Sequence, residues 1–197
     1  MLSVSKINFE RYFEPVFEPV SFALEAGDLL LVTGANGCGK TTLIRVLADI
    51  LHPTSGEFLH RTNSMGYVGH YLGIKDDLSV LENLRFMRDF LGTSKRSCDD
   101  VIKQIGLGRV SEQLARTLSA GQRKRCALAR LLLSNSELWL LDEPYSNLDR
   151  QGMAMLDGLL HRHIDAGGAC ALTTHGSLRP EGFDLQEYEL ISGAGVT

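Results

Sequence analysis

The chain has 197 residues, of which 44% are hydrophobic and 22% are charged, and its formal net charge is −4. This length and composition predict a single globular domain, and the negative charge gives no electrostatic reason to expect nucleic-acid binding. No apolar run reaches the roughly 20 residues that a membrane-spanning helix needs, and the first residues lack a secretory-signal pattern, so we expect any membrane-spanning part to belong to another subunit.

The first third of the chain predicts strands around a phosphate-binding loop. Residues 2–9 and 20–32 have the apolar pattern of strands, with a turn at residues 25–28. Residues 34–41 follow directly and have the form Gly-x-x-x-x-Gly-Lys-Ser/Thr, and residues 42–47 begin a helix. A glycine-rich turn before a helix is the alternative, but the order strand, turn and helix favours phosphate binding.

This loop has a defined chemistry. Its glycines let backbone N–H groups surround an anion at the positive end of a helix. Lys40 is predicted to reach the β- and γ-phosphates of a nucleotide, and the Thr41 hydroxyl to hold Mg²⁺. The predicted nucleotide-binding residues here are Gly34, Ala35, Asn36, Gly37, Cys38, Gly39, Lys40, Thr41 and Thr42.

The middle of the chain changes character. Residues 65–70 predict a short strand that ends at the polar residue His70, and apolar residues then recur at helical spacing. We expect a helical subdomain, roughly residues 77–134, inserted into one domain that spans residues 1–197. Residues 138–141 then predict a buried strand, residues 153–164 a helix, and residues 169–174 a strand that ends at His175.

Two carboxylates follow the strand at residues 138–141. Ligands of open α/β sheets bind at the carboxyl ends of the strands, where Asp142 and Glu143 emerge. We assign Asp142 to Mg²⁺ and Glu143 to activation of the attacking water. The alternative is that two acids merely cap a strand, which would leave buried charges without partners.

The segment Leu118-Ser119-Ala120-Gly121-Gln122 resembles the signature Leu-Ser-Gly-Gly-Gln of the ATP-binding-cassette family. The resemblance implies an α/β P-loop NTPase with a mostly parallel core sheet, antiparallel N-terminal strands and a helical insertion. It also implies that Ser119, Gly121 and Gln122 contact ATP held by a second copy of the chain. Two copies would then pack head to tail around two ATP molecules and hydrolyse them.

Other family positions fall in order. Asp149 is similar to the residue that communicates across the dimer, and His175 to the histidine that reaches the γ-phosphate. Tyr12 or Phe13 is expected to stack on adenine, unless these aromatics pack at a strand edge. His70 stands where most members have a glutamine that contacts Mg²⁺ and water. It either contributes to that site or contacts only the membrane subunit, and the sequence leaves both open.

Residues 69–75, 78–86 and 142–152 are similar to the ATP-binding subunits of the bacterial cytochrome c maturation system, the heme exporter. This resemblance implies a peripheral subunit on the cytoplasmic side of the inner membrane, bound to integral membrane permease subunits, whose ATP hydrolysis drives heme delivery or release of a heme-loaded chaperone. The alternatives are another small-substrate exporter or a soluble ATPase of the same superfamily.

Overall fold

The structure, a computed structural model, describes residues 1–62, 64–92, 96–174 and 178–193. The strands, in chain order, are β1 (Leu2–Asn8), β2 (Glu10–Arg11), β3 (Glu14–Pro15), β4 (Val20–Leu24), β5 (Leu29–Thr33), β6 (Ser55–His60), β7 (Met65–Val68), β8 (Leu138–Leu141), β9 (Ala169–Thr173) and β10 (Gln186–Glu189). The helices are α1 (Lys40–Leu47), α2 (Val80–Leu91), α3 (Cys98–Gln104), α4 (Ala120–Ser134) and α5 (Arg150–Asp165), with short 3₁₀ turns at Gly108–Val110 and Ala115–Thr117.

A five-stranded parallel sheet, in the order β10-β5-β9-β8-β7, forms the centre of the fold. Its inner strands are buried on both faces, which explains their continuous apolar sequences. In β5, Leu30 and Val32 pack with α1 while Leu29 and Leu31 pack with α4 and α5, as the alternation of side chains along a strand requires.

A second, antiparallel sheet of β4, β1 and β6 packs over α1 from the other side, so α1 is enclosed between two sheets. The phosphate loop therefore begins a helix that is held on both sides. The two-residue strands β2 and β3 form a small hairpin beside these layers.

The helices α2, α3 and α4 share an apolar cluster of their own, which includes Leu84, Val101, Ile105 and Cys126. Helix α4 also contacts the central sheet, because a Cβ atom added to Gly66 in β7 would lie 2.9 Å from Leu131 Cδ2. One helix thus joins the helical cluster to the sheet. The subdomain boundaries at residues 77–134 stay a prediction.

The predicted fold class is confirmed: a parallel core sheet, antiparallel N-terminal strands and inserted helices are all present. The predicted turn at residues 25–28 separates β4 from β5. Strands β2, β3, β6 and β10 were not predicted. Within the described ranges, no helix combines the length and the apolar character that crossing a bilayer requires.

Candidate nucleotide site

The phosphate loop connects β5 to α1 and depends on glycine at two close contacts. Gly34 has a φ of 135°, and an added Cβ would lie 2.5 Å from the Leu190 carbonyl oxygen. Gly39 caps α1 with a φ of 103°, and an added Cβ would lie 2.8 Å from Phe17 Cδ1. Residues 35–37 are exposed at the tip, while Cys38 is buried beneath it. The sequence thus forms an open loop on a rigid base.

Lys40 is held inside this loop. Its Nζ donates hydrogen bonds to the carbonyl oxygens of Gly34, at 2.7 Å, and Ala35, at 2.9 Å, and the residue is only 5% exposed. A buried ammonium needs such partners, and it is already positioned beside the backbone that would surround a phosphate.

Asp142 lies at the carboxyl end of β8 and connects three elements. Its Oδ1 accepts hydrogen bonds from Thr41 Oγ1, at 3.1 Å, and from Thr173 Oγ1, at 3.0 Å. Its Oδ2 is buried and has no hydrogen-bond partner among the described residues. An unpartnered buried carboxylate oxygen is costly, and it offers a lone pair to a hard cation. The residues present therefore fit Mg²⁺, with Asp142 and Thr41 as the side chains that would hold it.

Glu143 has an unusual backbone, with a φ of 48°. Its N–H donates to Thr173 Oγ1 at 2.9 Å, so one threonine hydroxyl contacts both carboxylate residues. Left-handed backbone in a residue other than glycine is strained and is concentrated at functional sites. The turn directs the chain away from the strand directly after Asp142.

A cavity of about 240 Å³ brings Glu143 together with His70 and with Ala120 at the start of α4. Lys124 also lines it, and sequence reasoning did not identify this residue. Burial lowers the pKa of the Lys124 ammonium, while the negative charges of Asp142 and Glu143 oppose that change. A lysine four residues into a helix gives no sequence signal of this position.

The signature segment begins α4. Ser119 Oγ accepts the Gln122 N–H at 3.2 Å, and Gln122 Oε1 accepts the Ser119 N–H at 2.9 Å, which is a capping box. The Gln122 side chain therefore has a partner within its own chain. Ser119 and Ala120 are exposed, and the N–H groups of Ala120 and Gly121 have no acceptor within the helix.

Gly121 and Asp149 also have contacts within the chain. A Cβ added to Gly121 would lie 2.7 Å from the Asn147 carbonyl oxygen, so this glycine permits a close approach of two loops. Asp149 caps α5 by accepting the Gly152 N–H at 2.8 Å, and it pairs with Arg125 of α4. The Gly152 N–H and then Arg125 lower the pKa of the Asp149 carboxyl. Sequence reasoning did not identify Arg125.

Tyr12 and Phe13 form the tip of the β2–β3 hairpin, and they are 91% and 97% exposed. Neither side chain is therefore packed at a strand edge. The hairpin adjoins the phosphate loop, because Val16 and Phe17 lie within 3 Å of a Cβ added to Gly39.

His175 lies outside the described residues. His70 is exposed, and its ring meets that of Tyr71 edge-on, with the two ring centroids 5.8 Å apart. It lies on the wall of the cavity that Glu143 also lines. A larger cavity, about 410 Å³, is lined by Ser64, Glu137 and Gly168, which directly precede β7, β8 and β9. It lies at the amino ends of these strands, and none of the predicted site residues that the structure describes lines it.

A loop that surrounds Lys40 at the carboxyl end of a parallel sheet, beside a carboxylate held by Thr41, defines a P-loop NTPase. The sequence pattern described as ABC transporter matches residues 17–146. The cytochrome c biogenesis ATP-binding export protein CcmA of Xanthomonas campestris pv. campestris (strain 8004) is 46% identical over 187 residues, or 90% of this chain and 87% of that protein.

Two solved structures share the fold. A putative ABC transporter ATP-binding protein from Pyrococcus furiosus has a TM-score of 0.82 and 22% identity, covering 97% of this chain and 98% of its own. An ATP-binding cassette solved as a dimer in a post-hydrolysis state with ADP and Pi has a TM-score of 0.76 and 22% identity, covering 89% and 88%. The chain belongs to the ABC transporter family, as an ATP-binding subunit of the ATP-hydrolysing type, and the resemblance drawn from its signature segment is confirmed.

Proposed function

We propose that this chain powers a membrane transporter of cytochrome c maturation by hydrolysing ATP between two copies of itself. The Asp142 carboxylate carries the proposal. It contacts the threonine of the phosphate loop with one oxygen and keeps the other oxygen buried without a partner in the described chain. A carboxylate in this state beside a phosphate loop supports a Mg²⁺–nucleotide site.

Different residues of the chain have different roles in the proposed hydrolysis. Lys40 exchanges the carbonyls of Gly34 and Ala35 for phosphate oxygens, and the loop N–H groups take the remaining phosphate charge. Asp142 and Thr41 would hold Mg²⁺, which would neutralise charge on the β- and γ-phosphates.

Glu143 is the proposed general base. It accepts a proton from water as the water oxygen bonds to the γ-phosphorus and the bond from that phosphorus to the bridging oxygen of ADP breaks, which releases ADP and phosphate. Thr173 fixes its backbone through the hydrogen bond to the Glu143 N–H. His175 and His70 are proposed to contact the γ-phosphate and the attacking water, and Tyr12 to stack on adenine.

A second copy is proposed to complete each site. The start of α4 is exposed, and its free N–H groups, together with the helix dipole, suit a phosphate presented from outside the chain. Ser119 and Gly121 of one copy would then close over ATP held by the phosphate loop of the other. Asp149, which links α4 to α5, would respond to that closure.

The surface near His70 is the proposed docking site for the membrane subunit. Tyr71 is 82% exposed, and Phe86 and Phe90 of α2 stack on each other while remaining 46% and 80% exposed. Lys75 lies over the Phe86 ring at 4.7 Å. An exposed aromatic surface with a cation beside it suits an amphipathic helix of a membrane protein.

The substrate assignment rests on the relative's printed role in cytochrome c biogenesis and on the resemblance to the heme exporter. We propose heme, or a heme-loaded chaperone, as what the complex delivers, with this chain bound peripherally at the cytoplasmic face. The runner-up is export of another small substrate.

Expression in a cell that lacks the native subunit tests the proposal. The wild-type chain should copurify with integral membrane proteins and restore holocytochrome c, whereas Lys40→Ala should restore none. Lys103→Ala, on the exposed surface of α3, is the matched control and should restore it fully. Purification without membrane proteins, or full restoration by Lys40→Ala, would contradict the proposal.

A further inference from the structure

Arg130 of α4 links the signature helix to the segment that carries His70. Its Nη1 donates to the Tyr67 carbonyl oxygen at 3.2 Å, and its Nη2 donates to the Leu72 carbonyl oxygen at 2.7 Å. These two carbonyls lie on either side of His70 in the chain. One planar guanidinium therefore fixes the spacing between the two ends of the turn that presents His70.

The surroundings of Arg130 fit this contact. Burial lowers the pKa of the guanidinium, but an arginine stays charged, so its hydrogen bonds to the carbonyls replace lost water contacts. Gly73 has a φ of 65°, and an added Cβ would lie 2.7 Å from Arg130 Nη2. The segment thus has a residue without a side chain at the point where the guanidinium reaches it.

The far end of the same segment is held separately. The Asn83 side chain is 1% exposed, accepts the Lys75 N–H at 2.8 Å, and donates to the carbonyl oxygens of Lys75, at 3.0 Å, and Ser79, at 2.9 Å. Asn83 therefore fixes the segment to α2, and Arg130 fixes it to α4. The part next to the site, which includes His70, is held by α4.

We propose that Arg130 is a positioning residue that holds His70 at the cavity shared with Glu143 and makes the position of His70 depend on α4. Leu72, whose carbonyl Arg130 holds, lines that cavity with His70 and Glu143. Arg130 lies about three turns beyond Ser119 on the same helix, and a helix moves as a rigid element. Engagement of Ser119 by nucleotide is therefore transmitted to His70. The inference rests on the proposed function, in which Ser119 and His70 both act on ATP.

Arg130→Lys is the first test, because lysine keeps the charge but lacks the fork that joins two carbonyls. In the assembled membrane complex, kcat for ATP should fall between about ten- and a hundredfold, with the Kd for ATP within about twofold of wild type. Arg162→Lys, the same change on α5 at the opposite end of the sheet, should leave kcat within about twofold. An unchanged kcat for Arg130→Lys would overturn the proposal.

A double-mutant cycle with His70→Ala separates positioning from a general loss of structure. If Arg130 acts through His70, the double variant should have about the kcat of the slower single variant. If the two reductions multiply, or if His70→Ala has the wild-type kcat, the coupling is refuted. Amide hydrogen exchange gives a second readout: Arg130→Lys should speed exchange at residues 69–74 and leave α2 unchanged.

The two proposals fail in different ways. Should Glu143→Gln retain turnover, the proposed site of hydrolysis is wrong, whatever Arg130 does. Should Glu143→Gln abolish turnover while Arg130→Lys retains it, hydrolysis at this site stands and the role of Arg130 is refuted.

Discussion

The two halves of the proposed nucleotide site differ in how much of each one chain assembles. The loop half, which comprises Lys40, Thr41, Asp142, Glu143 and Thr173, is joined by hydrogen bonds within the chain and leaves Asp142 Oδ2 without a partner among the described residues. The signature half comprises Ser119, Gly121 and Asp149. Its side chains have partners in the same chain, and its free donors are backbone N–H groups at an exposed helix start.

The difference shows what each half needs. In the loop half, the buried Asp142 Oδ2 has no hydrogen-bond partner among the described residues, which is unfavourable and would be relieved by a cation with its phosphates. The side chains of this half are therefore already in place before a ligand binds. The signature half has its side chains paired within the chain and, in the proposed arrangement, meets a ligand only when a second copy brings one. Changes in the loop half should therefore affect chemistry directly, while changes in the signature half should depend on the partner.

The largest expected effect is in the loop half. Glu143→Gln should lower kcat for ATP by about 10²- to 10⁴-fold, because the amide cannot accept the proton from water. ATP turnover and ATP binding, measured separately, check this, and binding should persist. Glu137→Gln, just before the other end of β8, is the same chemical change and should stay within about twofold. Equal effects of the two changes would remove the distinction between the ends of the strand.

Mixing two inactive chains tests whether the halves belong to different copies. Ser119→Arg leaves its phosphate loop intact and Lys40→Ala leaves its signature segment intact, so a mixed dimer of the proposed head-to-tail kind would contain one complete site. Random pairing should recover up to about a quarter of wild-type turnover, and neither chain alone should recover any. A chain with both changes, mixed with Ser119→Arg, is the control and should recover none. Equal activity in the two mixtures would show that each chain holds its whole site.

Thr173→Val should produce an intermediate effect, because it leaves the Glu143 N–H without its acceptor and Asp142 with one donor fewer. We expect a loss of about 1–3 kcal/mol in the free energy of unfolding and a fall of about tenfold in kcat. Urea unfolding and ATP turnover measure the two. Thr62→Val, which removes a hydroxyl that contacts Glu137 and Ser64 before β7 and β8, should reduce stability without changing kcat. A loss of activity in both variants would assign the effect to reduced stability in general.

Two matching capping boxes allow a finer comparison. Ser79→Ala and Ser119→Ala each remove a hydroxyl that caps a helix, and each should cost about 1 kcal/mol of stability. Only Ser119→Ala should also lower ATP turnover, by about three- to tenfold, because Ser119 is the serine proposed to face nucleotide from a second copy. Thermal unfolding and turnover, measured on both variants, test this. Equal turnover in the two variants would leave Ser119 with a purely structural role.

The smallest effect lies outside both halves. The His163 ring stacks on the Trp139 ring with centroids 3.8 Å apart, and burial lowers the pKa of His163 below the usual 6.5. His163 therefore binds a proton more readily in the unfolded chain than in the folded one. The stability that its neutral, stacked ring contributes is complete above about pH 6.5 and declines as the pH falls through that value. Urea unfolding at pH 7.5 and 5.5 should show the decline in wild type and less of it in His163→Phe. The exposed His52→Phe should behave as wild type.

The sequence predicted the elements that carry Lys40, Thr41 and the two carboxylates, because their patterns are local. It did not identify Thr173, which joins the two carboxylate residues from another strand. A strand, a glycine-rich turn and a helix follow one another directly, and Asp142 and Glu143 end a strand whose apolar pattern is plain. The signature segment was identified by resemblance, but its contacts were not. The close approach of Gly121 to Asn147 and the pairing of Asp149 with Arg125 join residues about 25 apart, which spacing alone does not reveal.

The strands that the sequence missed are short, exposed or polar. Strand β10 reads Gln-Glu-Tyr-Glu and lies at the edge of the sheet, where alternating burial is weak. The β2–β3 hairpin turns at Tyr12 and Phe13, both with positive φ, whereas such turns normally contain asparagine or glycine. Tertiary contacts decided these elements, and no local pattern marked them.

The backbone of Glu143 has a consequence for protein engineering. A left-handed residue with a long side chain costs about 1 kcal/mol or more, and glycine or asparagine would adopt the same φ at a lower cost. A library screened only for heat resistance should therefore enrich Gly and Asn at position 143 and accumulate well-folded chains that no longer hydrolyse ATP. Because Glu143 is the proposed general base, selection for folding and selection for turnover should favour different amino acids at this position.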